Sequence, residues 1–312
     1  MKKKVLVRIS NIPLGAQTRG SENIERLLND CAVKMKEYSL RVLELPFNES
    51  YTDVELLSKR IKVRPEDLPS EEEYLQKVEE YFKTISRNTI KKKKIRLWIY
   101  GPKYVDFVSS KEAEEFTIQA LEKAATFARM IEARGLITLL GYAGKNREGA
   151  LEKSIKRLRE IRDLLDDSQY IGIEIPGKRE ILGISAELRR ALERIENSFP
   201  VINLAHYYAL VGGQLRSERD FFEPIKYFYE KSKVKDFVYI KISGIEHENG
   251  NEKFHGALSI NQPPVDVVAK AIELFAKTYK NVEIYVVIDS PLLEHDAKYF
   301  IMRLREATNL GV

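Results

Sequence analysis

Short apolar runs rich in β-branched and aromatic residues alternate, along the whole chain, with stretches whose apolar residues recur every three to four positions. The strand-like runs fall at 5–10, 41–46, 95–101, 136–142, 170–176, 200–205, 237–243 and 282–289. The helix-like stretches fall at 21–38, 71–86, 111–134, 149–165, 186–197, 221–231, 265–279 and 294–307. Eight strand–helix units in series predict an α/β fold in which eight parallel strands close into a single (β/α)8 TIM barrel, in place of an open sheet wound in both directions. Neither GxGxxG nor GxxxxGK[ST] occurs, which removes the phosphate-loop folds. The expected organisation is one domain over residues 1–312 with an insertion around 50–90, where the run Arg64-Pro65-Glu66-Asp67-Leu68-Pro69-Ser70 reads as a loop capping the helix that starts near Glu71.

Side chains alternate faces along a strand, so parity assigns the polar residues within these runs. In Ile171-Gly172-Ile173-Glu174-Ile175 the isoleucines go to the helix layer and Glu174 to the barrel axis. The run Val286-Val287-Ile288-Asp289 puts a second carboxylate at the end of the last strand, and Asn203 and His206 follow the sixth. These are the C-terminal strand ends, where such barrels place their active sites. Parity also sends Arg8, Ser10, Glu44, Lys241 and Ser243 inward, with Arg96 as a further candidate, so that interior cations are expected to neutralise Glu44, Glu174 and Asp289. A lysine in that position could also be a Schiff-base nucleophile, a reading the surrounding carboxylates oppose because they favour the ammonium.

The 312 residues carry 52 Lys and Arg against 47 Asp and Glu, a formal charge of +5, which tolerates a polyanionic partner without requiring one. The single cysteine, Cys31, lies in a helical pattern, so no disulfide framework or CxxC metal knuckle exists and a reducing cytoplasm is the expected location. The apolar run after the opening Met-Lys-Lys-Lys is too short for a membrane span, and no membrane partner is expected. The lysines at 91–94 precede the third strand, at the end of the barrel away from the expected site, and read as a solvated charge run.

Several of these segments resemble the endonuclease IV branch of the xylose isomerase-like barrels. Residues 11–20 resemble that family's turn after the first strand, Tyr100-Gly101-Pro102-Lys103-Tyr104 its His-Gly-Pro-Tyr segment, and Ile173-Glu174 its metal-ligand strand. Asn203-Leu204-Ala205-His206 stands where the family carries Asp-x-x-His, and Ile288-Asp289 where it carries Leu-Glu. The departures are equally specific. Tyr100 and Tyr142 replace zinc-binding histidines, Asn203 replaces an aspartate, Ser243 replaces a histidine, and the family's Asp-x-His matches at best Glu252-Lys253-Phe254. His247 and His255 lie in the same polar loop and could rebuild part of a site.

The resemblance implies metal-dependent phosphodiester hydrolysis at abasic or damaged DNA, with Glu174, His206 and Asp289 as catalytic groups and, together with His247, Glu252 and His255, as metal ligands. The implied cofactor is a divalent metal, zinc or manganese, at fewer sites than the family's cluster, with a metal-free pocket as the alternative. Tyr104, at the rim, would stack on a base or wedge a step, and Lys103, Lys145, Arg179 and Arg216 would meet phosphates. Bland readings stand beside these: Asp289 as a helix cap before Pro291, the loop histidines as solvated, Tyr104 as rim packing, His295 as a surface residue. Two other functions stay open, a catalytically degenerate barrel with residual nucleic-acid binding and a sugar or sugar-phosphate isomerase of the same superfamily.

Overall fold

A computed structural model of the chain describes residues 5–9, by their backbone, and 23–310. Residues 11–20, Ser10 and the side chain of Arg8 lie outside the described residues. The barrel strands are β1 (Val5–Ile9), β2 (Val42–Pro46), β3 (Arg96–Tyr100), β4 (Gly135–Thr138), β5 (Tyr170–Glu174), β6 (Ser198–Asn203), β7 (Phe237–Ile242) and, after a hairpin of β8 (Gly244–Glu248) and β9 (Asn251–Gly256), β10 (Glu283–Ile288). The eight barrel strands are parallel and closed in the order β1-β10-β7-β6-β5-β4-β3-β2, while β8 and β9 form a separate antiparallel pair. The expected (β/α)8 barrel is therefore the observed one.

The helices are α1 (Ile24–Glu37), α2 (Val54–Ile61), α3 (Glu71–Ile85), α4 (Lys111–Met130), α5 (Arg147–Arg162), α6 (Ala186–Arg194), α7 (Leu204–Leu210), α8 (Glu218–Lys231), α9 (Val265–Thr278) and α10 (Glu294–Ala307). Side-chain oxygens of Asn23, Ser70, Ser110, Asn146 and Ser217 accept backbone N–H groups and start five of them. Two elements differ from expectation. The insertion holds a second helix, α2, before α3, and the sixth strand stops at Asn203, whose side chain caps α7 at once.

Two buried layers result. Ile171 and Ile173 face the helices within the larger core, as their parity requires. Inside the barrel, Trp98, Phe199, Phe237, Tyr239 and Tyr285 fill the floor, with ring centroids 5.1 Å apart for Trp98–Phe199 and 5.1 Å for Phe237–Tyr285. Arg96 shares the parity of Trp98 but sits at the start of β3, where the interior opens to water, and is exposed, so it is not one of the interior cations. No helix of the described residues is long and apolar enough to cross a membrane.

Candidate metal centre

Above the aromatic floor, four strands deliver charged groups to one point. Lys241, on β7, lies in register with Asn203 of β6, and its Nζ sits 2.9 Å from Glu44 Oε1, 3.2 Å from Glu174 Oε2 and 3.2 Å from Asp289 Oδ2. An ammonium has three protons, and each meets one carboxylate. The other oxygens are also bonded: Tyr239 donates its hydroxyl to Glu44 Oε2 at 2.8 Å, and Asn203 donates Nδ2–H to Glu174 Oε1 at 2.7 Å. The Tyr100 ring covers the ammonium at 4.6 Å.

Burial alone would push Lys241 toward the neutral amine, but Asp289, Glu174 and Glu44 outweigh it and hold it well above its usual value. Burial raises Glu44 to about 7, opposed by Lys241 and reinforced by Glu174 and Asp289. Burial also acts to raise Asp289, yet Lys241 and then His255 bring it far below the normal carboxylate range. Of the interior ion network expected from parity, the part built on Lys241 is thus present, and its carboxylates favour the ammonium over the free amine that a Schiff-base role would need.

A second layer lies toward solvent. His206 Nδ1–H donates to the Ile175 carbonyl at 2.7 Å, and His255 Nδ1–H donates to the Asp289 carbonyl at 3.0 Å. A carbonyl only accepts, so both rings carry their proton on Nδ1 and, when neutral, present Nε2 as a lone pair. Those two Nε2 atoms are 2.9 Å apart, and each lies 3.2 Å from a Glu252 oxygen. Three acceptors converge with no donor among them, so a cation, a proton or a metal ion, must share the space.

Without a metal, that cation is a proton on His255. Burial lowers its pKa, but Glu252 and Asp289 dominate and raise it to about 9. Glu252 is resisted by burial and held far below the usual range by its contacts with His206 and His255. A divalent metal fits equally well. Four ligands at about 2.0 to 2.1 Å from zinc stand roughly 3.3 Å apart, within a few tenths of the spacing here, and an Nδ1–H bonded to a carbonyl is the usual outer support of a ligating histidine.

Local sequence explains how these side chains meet. Residues three apart on a strand point to opposite faces, yet Glu252 and His255 converge, because Glu246 pairs with Phe254 and His247 with Glu252, leaving Lys253 bulged out of the β8–β9 ladder. Gly177 accepts the Glu252 N–H at its carbonyl at 2.7 Å, and a Cβ on Gly177 would collide with Glu252 Oε2 and crowd His206. The His206 backbone N–H bonds Asn203 Oδ1 at 3.1 Å, which joins the two layers.

Other candidates are placed elsewhere. His247 packs edge-on against Tyr208 with centroids 5.5 Å apart and takes no part in the cluster of His206, Glu252 and His255. Asp289 does not cap a helix, since α10 begins at Glu294. Arg216 donates to Tyr208 Oη at 3.2 Å and Arg179 to the Leu210 carbonyl at 3.1 Å, so both serve the rim's own structure. Lys103, Lys145 and Tyr104 are exposed, the Tyr104 hydroxyl donating to Asp106 at 3.2 Å. Ser243 Oγ is buried without a hydrogen-bond partner among the described residues.

The sequence model of the xylose isomerase-like TIM barrel family matches residues 54–281, more than half of the chain. The chain belongs to this family. Among solved structures, this xylose isomerase-like barrel is similar to a putative xylose isomerase from Rhodospirillum rubrum, with TM-score 0.62 and 14% identity over 97% of this chain and 99% of that one. It is similar to endonuclease IV from Thermus thermophilus, with TM-score 0.60 and 12% identity over 98% of this chain and 100% of that one. It is also similar to L-ribulose 3-epimerase, with TM-score 0.57 and 13% identity over 96% and 95%. Such identities speak for the fold alone. No curated protein sequence matches this xylose isomerase-like chain.

Proposed function

We propose that this xylose isomerase-like barrel is an endonuclease IV-like phosphodiesterase with a mononuclear metal centre, acting on DNA at abasic or damaged sites. The observation that carries the reading is the convergence of His206 Nε2, His255 Nε2 and Glu252 with both Nδ1 atoms committed to backbone carbonyls. These three residues would hold one zinc or manganese ion, which when bound supplies Lewis acidity toward a phosphoryl oxygen and its leaving group. The position between Glu44, Glu174 and Asp289 does not fit a metal while Lys241 stands in it, so no step is assigned to a cluster.

The chain's own residues divide the remaining work. Lys241 keeps Asp289 anionic and bonds Glu174 at 3.2 Å, and Asp289, 21% exposed, faces His255 and the outer site as an oriented acceptor. Tyr104 and Phe254 are 61% and 50% exposed, and with Lys103, Lys145 and Lys178 they offer stacking faces and phosphate contacts on an open surface. Glu246 and Glu248, exposed on the hairpin, set a boundary to the basic surface.

The test is elemental analysis of protein purified without chelator or affinity tag, followed by nicking of a duplex with one abasic site. Wild type is expected to hold one equivalent and to nick; His206→Ala loses both. Conversion of a ketohexose without nicking would instead establish the sugar isomerase reading, which the likeness to the epimerase supports. The Lys241 cluster favours one further reading, a barrel in which ion pairs have replaced metal and only nucleic-acid binding persists; protein that stays metal-free after incubation with zinc and manganese establishes that one.

A further inference from the structure

The insertion around 50–90 supplies no residue to the centre described above, yet it shapes a cavity of about 310 Å³ in the helix layer, between α2, α3 and α4. Leu57, Tyr74, Val78, Phe82 and Met130 form its apolar floor. Each is at most 7% exposed although it borders the space, so the opening is a slit, too narrow for a helix about 10 Å across. The Tyr74 hydroxyl accepts from Ser58 at 3.0 Å and donates to the Val54 carbonyl at 3.2 Å, so its needs are met within α2 and only its ring is left to line the cavity. Polar groups come mainly from α4. At about 100° per residue, Gln119, Lys123 and Met130 fall within about 40° of one another, whereas the exposed Glu122 lies about 100° round from Lys123. Among the described residues that line the cavity, Lys123 is the one cation. Its contact with Glu49 is 3.7 Å long, beyond hydrogen-bond distance, with the two side chains 49% and 60% exposed, so the ammonium protons are not committed there.

We propose that this cavity binds a medium-chain fatty acid as its monoanion, the carboxylate held by Lys123 and the Gln119 amide and the alkyl tail extended along α4 to Phe82 and Met130. From Lys123 to Met130 the helix rises about 10 Å, which matches a medium-length alkyl chain laid against Val78 and Phe82. A slit of this volume, at the lower end of the range for small-ligand sites, admits a single extended chain and leaves no room for a branched or polycyclic body. The apolar floor pairs with the tail, and the uncommitted ammonium on the α4 face pairs with the head, so the occupant is amphipathic and anionic. Val54 and Leu75, 52% and 45% exposed, flank the mouth and gain cover when the tail is seated. The site lies in the helix layer and stands independently of the function proposed above.

Isothermal titration calorimetry with hexanoate, octanoate and decanoate tests it. One ligand per chain is expected, with affinity rising about fourfold for each added methylene, the factor for moving a CH₂ group from water into an apolar interior. Octanoate should bind more tightly than octan-1-ol, and Lys123→Gln should weaken octanoate about fivefold while leaving octan-1-ol unchanged. Thr126→Phe, placing a ring in the space from the α4 side, should abolish binding. Leu75→Trp should do the same from the exposed mouth without disturbing the floor, and it decides the matter if Thr126→Phe does not fold. No binding of decanoate at millimolar concentration, affinity independent of chain length, or full affinity in folded Leu75→Trp overturns the proposal. Tighter binding of octylammonium than of octanoate overturns it as well, since the head would then sit on Glu49 or Glu122. A wild-type dimer in light scattering that Leu75→Glu disperses would give this face to a second copy of the chain and equally defeat the fatty-acid site.

Discussion

Replacing Asn203 by the aspartate that the Asp-x-x-His resemblance would call for should weaken this protein when no metal is present. Asn203 and Glu174 are fully buried, and Nδ2–H donates to Glu174 Oε1 at 2.7 Å. Asn203→Asp turns that donor into an acceptor and brings a second carboxylate into contact with the first. Loss of a hydrogen bond to a charged group costs about 1.5 to 3 kcal/mol. Lys241 cannot compensate, because its three protons already meet Glu44, Glu174 and Asp289. The cap on α7 is unaffected, since aspartate accepts the His206 N–H as well as asparagine does.

Two carboxylates in contact cannot both ionise, so the new pair retains a proton whose folded pKa lies above the unfolded value. With the folded pKa raised, the stability linked to that proton is complete below the unfolded pKa of about 4 and is lost as pH rises through the folded one. Asn203→Asp should therefore fall short of wild type by about 3 to 5 kcal/mol at pH 8 and by clearly less at pH 5. Urea unfolding at both pH values in chelator, with unchanged m, measures this. A variant within about 0.5 kcal/mol of wild type at pH 8, or a gap that widens on acidification, would refute the account of the Glu174 environment.

Gly177→Ala should lower affinity for the outer metal about 10- to 100-fold, because the added methyl would meet Glu252 at both its carboxylate and, at 2.9 Å, its Cβ, which forces the ligand out of place; a zinc titration with a competing chelator checks it. Glu187 accepts from Arg147 and from the N–H groups of Gly183 and Ile184, which overcome its burial and lower its pKa. Its contribution is thus present above the unfolded pKa and lost as pH falls, so Glu187→Gln should cost about 1 to 3 kcal/mol at pH 7 and progressively less toward pH 3, as unfolding midpoints across that range will show. Tyr104→Ala should leave Tm unchanged, its ring being exposed, and weaken binding of abasic duplex by about 1 to 3 kcal/mol in fluorescence anisotropy at fixed salt; unchanged binding would remove Tyr104 from the DNA surface.

What could be read from the chain divides along the range of the forces involved. Strand parity is local, so the inward placement of Glu44, Glu174 and Lys241 followed from residue spacing, and the closed barrel followed from eight repeats of one local pattern. The additional helix α2, the short helix α7 and the β8–β9 hairpin escaped that logic for physical reasons. The apolar run of β6 continues unbroken into α7, with only Asn203 to mark the turn, and the hairpin presents polar residues on exposed strands that no core pattern marks. The resemblance named His206, Glu252 and His255 among six candidate ligands, but not which of the six meet: the Glu252-Lys253-Phe254-His255 spacing becomes a single face only after the bulge at Lys253 takes up one residue.

The same division explains why sequence departures from a motif can mislead about chemistry. Asn203, Ser243, Tyr100 and Tyr142 all read as missing ligands, and a tally of losses would predict an inert pocket. In the folded chain, Asn203 and Tyr100 instead support Lys241 and its carboxylates, while His206 meets Glu252 and His255, two residues outside the family's spacing, in a group of their own. One charge accounts for two of these departures: with a lysine among the inner carboxylates, a neutral amide beside Glu174 and an aromatic face over Nζ suit the buried cation better than an additional carboxylate or a competing imidazole would.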